Sequence, residues 1–303
     1  MPSGRFAPSP TGDLHLGNLR TALAAWLFAR SGGSTFVLRM EDLDRNQSSA
    51  DHETSQQRDL AALGIDWDGA VVRQSERFAI YEEAISDLTA RGLTYPCYCT
   101  RREIQEASSA PHGDGMPDGA YPGTCRDLTP AMRREREAAG RRPAIRLRAQ
   151  VSELTVDDVL LGPVTATVDD VVLRRNDGVP AYNLAVVVDD AAQGIEQVVR
   201  GDDLATSAPR QRHLADLLGL LPVSYAHVPL VLGPTGTRLA KRDGAVTLAE
   251  QKARGVGPPE LCGMLARSLG QGDGRACSAD DLVEGFDATA IPREPWTPAR
   301  LVG

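Results

Sequence analysis

The sequence predicts an α/β fold whose parallel sheet is built in two halves, with an insertion between the halves and a helical C-terminal portion. Three observations predict it. A strand–helix–strand succession fills the first 41 residues, a stretch crowded with proline and glycine interrupts the chain at 92–142, and strand–helix alternation resumes at 144. A chain of 303 residues is long enough for one large domain or two smaller ones around a sizeable core.

Residues 4–8 and 34–41 read as short strands. Residues 19–30 between them are rich in Ala, Leu, Trp and Phe, contain no Gly or Pro, and read as a helix that Gly32-Gly33 ends. With loops this short the three form a βαβ unit, and hence a parallel pair. Two more helices are expected near 51–62 and 75–91. Residues 92–142 hold Pro96, Pro111, Pro117, Pro122 and Pro130 with several glycines, and read as a loop-rich inserted subdomain. The second half is expected as strands at 144–148, 155–160 and 164–174, a helix at 182–192, a strand at 197–200, a helix at 207–219 and a strand at 226–232. Beyond Gly244 the chain reads as helical to about residue 287. The divisions are therefore 1–91, 92–142, 143–244 and 245–303.

Bulk properties exclude some classes. Apolar content of 42% and charged content of 24% are those of a globular chain and not of a disordered one. No apolar run approaches a membrane span and the N-terminus lacks a signal-peptide pattern, so a cytoplasmic protein is expected. A net charge of −8 argues against non-specific coating of nucleic acid, while leaving room for a local basic face. Arg133, Arg134, Arg136, Arg141 and Arg142 could supply phosphate contacts, although Glu135 and Glu137 among them equally suit a solvated helix with internal ion pairs. Five cysteines, an odd number, in a reducing compartment argue against a disulfide framework.

The segment from Pro8 to Asn18 lies between the first strand and the first helix, where an open α/β sheet binds ligands. A helix N-terminus there offers unpaired N–H groups to phosphate, and Gly17 permits close approach of the backbone. His15 can donate to charge on a phosphate and Asn18 can cap the helix, or His15 can be no more than a turn histidine. Far along the chain, the glycine-rich loop 233–244 carries Arg238, Lys241 and Arg242. Such a loop can close over a substrate and set a lysine on departing pyrophosphate, though alone it would read as a solvated turn. Arg5 and Glu41 at strand ends could form an ion pair or receive a charged ligand. Cys97, Cys99 and Cys125 suit a structural zinc site that needs a fourth ligand, for which His112 is the conventional choice; three buried, unligated thiols are the other reading. Cys262 and Cys277 fit no such pattern.

Together these blocks resemble class I aminoacyl-tRNA synthetases of the glutamyl type. Arg5-Phe6-Ala7-Pro8-Ser9-Pro10-Thr11-Gly12 with Leu14-His15-Leu16-Gly17-Asn18 resembles that group's HIGH region, and Arg238-Leu239-Ala240-Lys241-Arg242 its KMSKS loop. Leu38 to Arg45, Ala181 to Asp190, Gln193-Gly194-Ile195 and Val199 to Leu204 extend the similarity over roughly residues 4–250. The chain ends too early for the helical anticodon-binding region of an ordinary glutamyl-tRNA synthetase. It is closer to the short glutamyl-queuosine tRNA(Asp) synthetase family. Ala240 stands where a loop serine is usual, and Arg238 where a lysine is common.

The resemblance implies a class I synthetase-type Rossmann nucleotide-binding fold with a zinc-containing insertion and a helical, stem-contact-like C-terminal region. It implies an ATP-dependent ligase, with Mg²⁺ on the ATP, that makes glutamyl-adenylate and passes the glutamyl group to queuosine at the wobble position of tRNA(Asp). The implied catalytic residues are His15 and Lys241, with ATP on His15, Gly17, Asn18 and Lys241. Glutamate falls to Arg5, Phe6, Ala7, Pro8, Ser9, Glu41, Tyr182 and Arg200. One structural zinc falls to Cys97, Cys99, Tyr121 and Cys125, the tyrosine being the family's fourth ligand. The partners are L-glutamate, ATP and queuosine-containing tRNA(Asp), with no membrane and no obligate protein partner. The alternatives are a truncated glutamyl-tRNA synthetase charging the tRNA 3′ end and a non-catalytic tRNA-binding paralogue.

Overall fold

The computed structural model of the chain describes residues 2–100, 102–104, 121–239 and 247–298. Strands β1 (Gly4–Phe6), β2 (Phe36–Met40) and β3 (Val72–Arg73) form a parallel sheet in that order. Strands β6 (Glu153–Asp158), β7 (Gly162–Thr167), β9 (Gln197–Gly201) and β10 (Ser224–Val228) form a second sheet in the order β7-β6-β10-β9. It is parallel except for the β6–β7 hairpin. The two sheets meet at β1 and β9, where the Ser3 carbonyl accepts from the N–H groups of Glu196 and Gln197 at 3.1 and 3.0 Å. The run β3-β2-β1-β9-β10-β6-β7 therefore reverses its winding between β1 and β9, which is where such sheets open a ligand crevice.

Helix α1 (Leu16–Arg30) fills the centre of the core and buries 11 of its 15 residues, among them Leu19, Leu23, Trp26 and Leu27. It is apolar on nearly every side because β1 and β9 pack on one face and α8 (Pro258–Ser268) on another. Arg20, 1% exposed, fastens that outer helix: Nε donates to Ser268 Oγ at 2.9 Å and Nη1 to the Pro229 carbonyl at 2.6 Å. Helices α2 (Ala50–Ala62), α3 (Phe78–Ala90), α5 (Tyr182–Ala192) and α6 (Ala208–Leu218) flank the sheets, and α7 (Leu248–Ala253) precedes α8. Within and after the insertion, β4 (Thr94–Cys97) pairs antiparallel with β5 (Ala144–Leu147), which pairs with β8 (Val172–Arg174). Helix α4 (Pro130–Ala138) lies between them in sequence. Among the described residues, no helix is long and apolar enough to cross a membrane.

Four expectations are corrected. The first helix begins at Leu16, three residues before 19, because His15 caps it. The single strand expected at 164–174 is two, β7 and β8, in different sheets; buried Asp170 between them accepts from Tyr95 Oη and the Ala149 N–H, so the chain turns there. The strand expected at 226–232 ends at Val228, since Pro229 has no N–H to pair. The C-terminal portion is helical only to Ser268; Gly270, Gly272 and Gly274 adopt φ of 73°, 67° and 90°, and beyond them only two short 3₁₀ turns form among the described residues.

Candidate active site and thiol cluster

A cavity of about 550 Å³ opens at the β1/β9 switch. Arg5, Phe6, Ala7, Pro8, Ser9, His15, Gly17, Asn18, Glu41, Tyr182 and Arg200 all line it. Lys241 and Arg242 lie outside the described residues, as do Ala240 and His112. Arg238 is described and reaches the cavity rim, where its Nη1 is 2.6 Å from Asp203 Oδ2.

The turn after β1 is held rigid. The Pro8 carbonyl accepts from Glu41 N–H at 2.9 Å and the Pro10 carbonyl from Ser49 N–H at 3.0 Å. Gln56, buried on α2, donates through Nε2 to the carbonyls of Ser9 and Gly12 at 3.0 and 2.7 Å. At the end of this turn His15, not Asn18, is the N-cap. His15 Nδ1 accepts from the N–H groups of Gly17 and Asn18 at 3.0 and 3.3 Å, and Asn18 Oδ1 accepts from His15 N–H at 3.2 Å. A Cβ at Gly17 would lie 2.9 Å from His15 Cε1, so glycine is required for the ring to fold over the helix start. Burial, and then the positive charge of Arg238, lower the His15 pKa to about 4. The ring is therefore neutral near pH 7, and since Nδ1 accepts, Nε2 carries the proton and is a donor. Thr247, the N-cap of α7, bridges back to His15.

The opposite end of the cavity is a buried charge lattice. Arg5 does not pair with Glu41: its Nε meets Asp190 Oδ1 at 3.2 Å and its Nη1 donates to the Val199 carbonyl at 3.3 Å. Arg39, fully buried, contacts Asp190 at 2.8 Å, Gln193 Oε1 at 2.6 Å, and Asp189 and Glu41 at 3.7 Å each. Asp189 also accepts from Arg77 Nε, Tyr81 Oη and Gln74 Nε2 at 2.7, 2.8 and 2.9 Å. Burial raises Asp190, but attraction to Arg39 and Arg5 outweighs it and holds the carboxyl below its usual value. Glu41 differs: burial dominates the attraction of Arg39 and Arg5, and its pKa is pushed up to about 7. It therefore gains most from a further cation. Nothing in the sequence alone singles out Gln56, Arg39, Asp189 or Asp190, although Arg39 and the aspartates lie within the blocks that carry the resemblance; which of two adjacent acids faces which arginine is decided by partners more than 100 residues away.

In the insertion, the sulfurs of Cys97, Cys99 and Cys125 lie within 4.8 Å of one another. Cys99 Sγ is 3.4 Å from Cys125 Sγ, and the Tyr121 hydroxyl is 3.3 Å from Cys97 Sγ and 3.8 Å from Cys99 Sγ. Tetrahedral ligands around zinc, with Zn–S of ~2.3 Å, stand roughly 3.5–3.8 Å apart, so this donor set fits that ion. The Cys125 N–H donates to the phenol oxygen at 2.8 Å, and the Arg146 guanidinium lies 3.7 Å from the Tyr121 ring centroid. Burial and the Cys97 thiol push the Tyr121 phenol up, and a cation among the donors would bring it down. Nearby, Tyr98 Oη donates to Glu137 at 2.5 Å and Arg141 pairs with Glu103 at 2.8 Å, so part of the arginine-rich stretch is engaged within the insertion.

A crevice at a β1/β9 switch, a capped helix start carrying a neutral histidine, and an acid–base lattice beside it match one class. Residues 3–292 match the family described as tRNA synthetases class I (E and Q), catalytic domain. The glutamyl-Q tRNA(Asp) synthetase of Nocardia farcinica is 60% identical over 97% of this chain and 92% of its own length. That of Cutibacterium acnes is 55% identical over 88% of this chain and 76% of its own. The crystal structure of a glutamate tRNA ligase from Elizabethkingia meningosepticum, in complex with its amino acid, superposes with a TM-score of 0.83 at 28% identity. It is covered over 66% of its length, against 97% of this chain. The chain belongs to the class I E and Q synthetases, and within them to the glutamyl-Q tRNA(Asp) synthetases.

Proposed function

We propose that this protein activates L-glutamate with ATP and transfers the glutamyl group to queuosine in tRNA(Asp). In the first step a glutamate α-carboxylate oxygen attacks the α-phosphorus of ATP, the bond to pyrophosphate breaks, and glutamyl-adenylate forms. In the second, a hydroxyl of the queuosine ring attacks the acyl carbon, AMP departs and the hydroxyl proton is released. The observation that carries this reading is the pairing, in one cavity, of a helix start capped by a neutral histidine with a carboxylate and two guanidiniums.

The residues divide the work by charge. Glu41 takes the glutamate ammonium, which supplies the cation its raised pKa calls for. Arg5 and Arg200 face the carboxylates, where a guanidinium gives planar, bidentate recognition, and Tyr182 closes the side of the pocket. Phe6, Ala7, Pro8 and Ser9 form the rigid wall between the two substrates. The ATP phosphates come to the positive end of α1: His15 Nε2–H is the donor offered to them, while the N–H groups of Gly17 and Asn18 hold the His15 ring through Nδ1, Gly17 also leaving room for close approach. Lys241 is assigned to departing pyrophosphate from its place in the loop sequence, with Mg²⁺ sharing that charge. No covalent enzyme intermediate is needed, so catalysis is positioning and electrostatics. We further propose one zinc on Cys97, Cys99, Cys125 and Tyr121, supplying structural cross-linking alone, and the cytoplasm as the place of action.

The test is to incubate labelled glutamate and ATP with queuosine-containing and queuosine-lacking tRNA(Asp), and with tRNA(Glu). Label on the queuosine-containing tRNA(Asp) alone is expected. Equal labelling of both tRNA(Asp) forms, or label on tRNA(Glu) only, would overturn the reading.

A further inference from the structure

Arg200 stands near the carboxyl end of β9 with 6% of its surface exposed, and none of its hydrogen-bond partners among the described residues is an acid. Nε donates to His227 Nε2 at 3.1 Å, Nη1 to Gln211 Oε1 at 2.8 Å and Nη2 to the Leu204 carbonyl at 3.2 Å. Gln211 is oriented in turn by Asn183, whose Oδ1 accepts from Gln211 Nε2 at 3.0 Å. An arginine has five N–H donors, so these contacts fix the fork and leave two for a ligand. Arg5, by contrast, already spends part of its charge on Asp190.

Behind Arg200 runs a line of side chains across three adjacent strands. His227 on β10 is the register partner of Arg200 on β9, and Asp158 on β6 lies beyond it. Both side chains are fully buried, and His227 Nδ1 is 2.6 Å from Asp158 Oδ2. Asp158 also accepts from the N–H groups of Leu160 and Leu161 at 2.9 Å each and of His227 at 3.1 Å. Burial raises this carboxyl, but the hydrogen bonds from His227 and the leucine N–H groups outweigh it and keep it ionised, an acceptor only. Arg200 Nε can only donate. His227 must therefore carry its proton on Nδ1, toward Asp158, and present a lone pair on Nε2 to the guanidinium. Tyr225 stacks on the imidazole at 13° and a centroid distance of 5.8 Å, fixing the ring plane.

We propose that Asp158 and His227 are positioning residues of the glutamate site. The carboxylate sets the imidazole tautomer, the imidazole sets the guanidinium fork, and the ring keeps the acid off Arg200 so that its charge stays available to a substrate carboxylate. Neither residue lines the cavity. The inference rests on reading Arg200 as a glutamate ligand.

Glutamate-dependent exchange of pyrophosphate into ATP, with queuosine-containing tRNA(Asp) present, tests it in His227→Asn, His227→Gln and Arg200→Ala. Asparagine keeps a polar group at the Asp158 end only, whereas glutamine reaches the Arg200 end. His227→Asn should raise the glutamate KM by about tenfold or more, the loss expected of a hydrogen bond to a charged group, with the ATP KM unmoved. His227→Gln should recover part of that loss. Equal losses in both variants, a normal glutamate KM in His227→Asn, or a parallel rise in both KM values would overturn the proposal. If Arg200→Ala leaves the glutamate KM unchanged, the site reading itself fails; a raised KM there beside a normal His227→Asn sinks the relay alone. Nitrogen NMR of the wild-type protein, labelled in its five histidines, needs no variant to be active: a protonated Nδ1 with bare Nε2 at His227 is expected, and the reverse tautomer contradicts the proposal.

Discussion

The substrate cavity and the thiol cluster are both polar sites, but they are assembled in opposite ways. Around the cavity most charges are paired before any ligand arrives: Arg5, Arg39 and Arg77 meet Asp189 and Asp190 across more than 100 positions of sequence, while Glu41 has the nearby Arg39 and Arg200 is held by neutral acceptors. In the insertion, four donors drawn from 29 residues converge on one another. A lattice of paired charges is a preformed receptor. A ring of converging donors is a site whose geometry its ligand completes. The lesson is that emptying the first should cost function, and emptying the second should cost structure.

The largest expected effect sharpens that contrast. Chelating the metal or substituting Cys125→Ser should release about one equivalent of zinc and open residues 92–142 to protease, since structural zinc contributes ~10 kcal/mol or more to its fold. Metal analysis finding well below one equivalent in purified wild-type protein would remove the claim. Tyr121→Phe should keep the thiols and weaken zinc retention without abolishing it, read as faster loss to a chelator.

Next come the two arginines. Arg200→Ala should lower kcat/KM for glutamate by roughly 30- to 4,000-fold, from ~2–5 kcal/mol for truncating one side of a buried charge contact, and should lower the melting temperature through the donors lost to His227, Gln211 and the Leu204 carbonyl, all neutral acceptors. Arg5→Ala should give a similar kinetic loss and lower the melting temperature further, because the buried charge of Asp190 loses one of its two guanidiniums. Identical thermal behaviour of the two variants would break the distinction between them.

A third expectation concerns pH. Glu41 in the free protein ionises at about 7, so its attraction for an ammonium grows as pH rises through that value. Glutamate kcat/KM should climb between pH 6 and 8, with an inflection near 7 that Glu41→Gln removes; this quotient reports the free enzyme. The stability sign is opposite. A carboxyl raised from an unfolded value of ~4.3 contributes stability below that value and loses it as pH rises through about 7. A flat kinetic profile across this window would contradict the assignment. The smallest effect is at the helix start. Asn18→Ala deletes the acceptor for His15 N–H and should cost ~1 kcal/mol, seen as a lower melting temperature together with a higher ATP KM.

What was legible in the sequence follows the range of the interactions involved. The phosphate turn, α1 and the Cys97–Cys99–Cys125 group are local patterns, and the structure brings each together. Even so, the cap fell to His15 because its ring folds onto Gly17, a geometry that residue types alone do not disclose. The lattice under Glu41 and the line Asp158–His227–Arg200 depend on which strands become neighbours. His227 is an unremarkable histidine until β10 sets it beside Arg200. The C-terminal portion misled for a local reason: its composition permits helix, but three closely spaced glycines at positive φ end it.

The central claim is that the cavity's glutamate is delivered to a base in the anticodon and not to the tRNA end. The direct measurement is to charge queuosine-containing tRNA(Asp) with labelled glutamate, cleave it with a nuclease, and locate the label among the fragments. The account predicts label confined to the fragment bearing the wobble position. Label on the 3′-terminal fragment would contradict it and make this cavity the active site of a conventional charging enzyme.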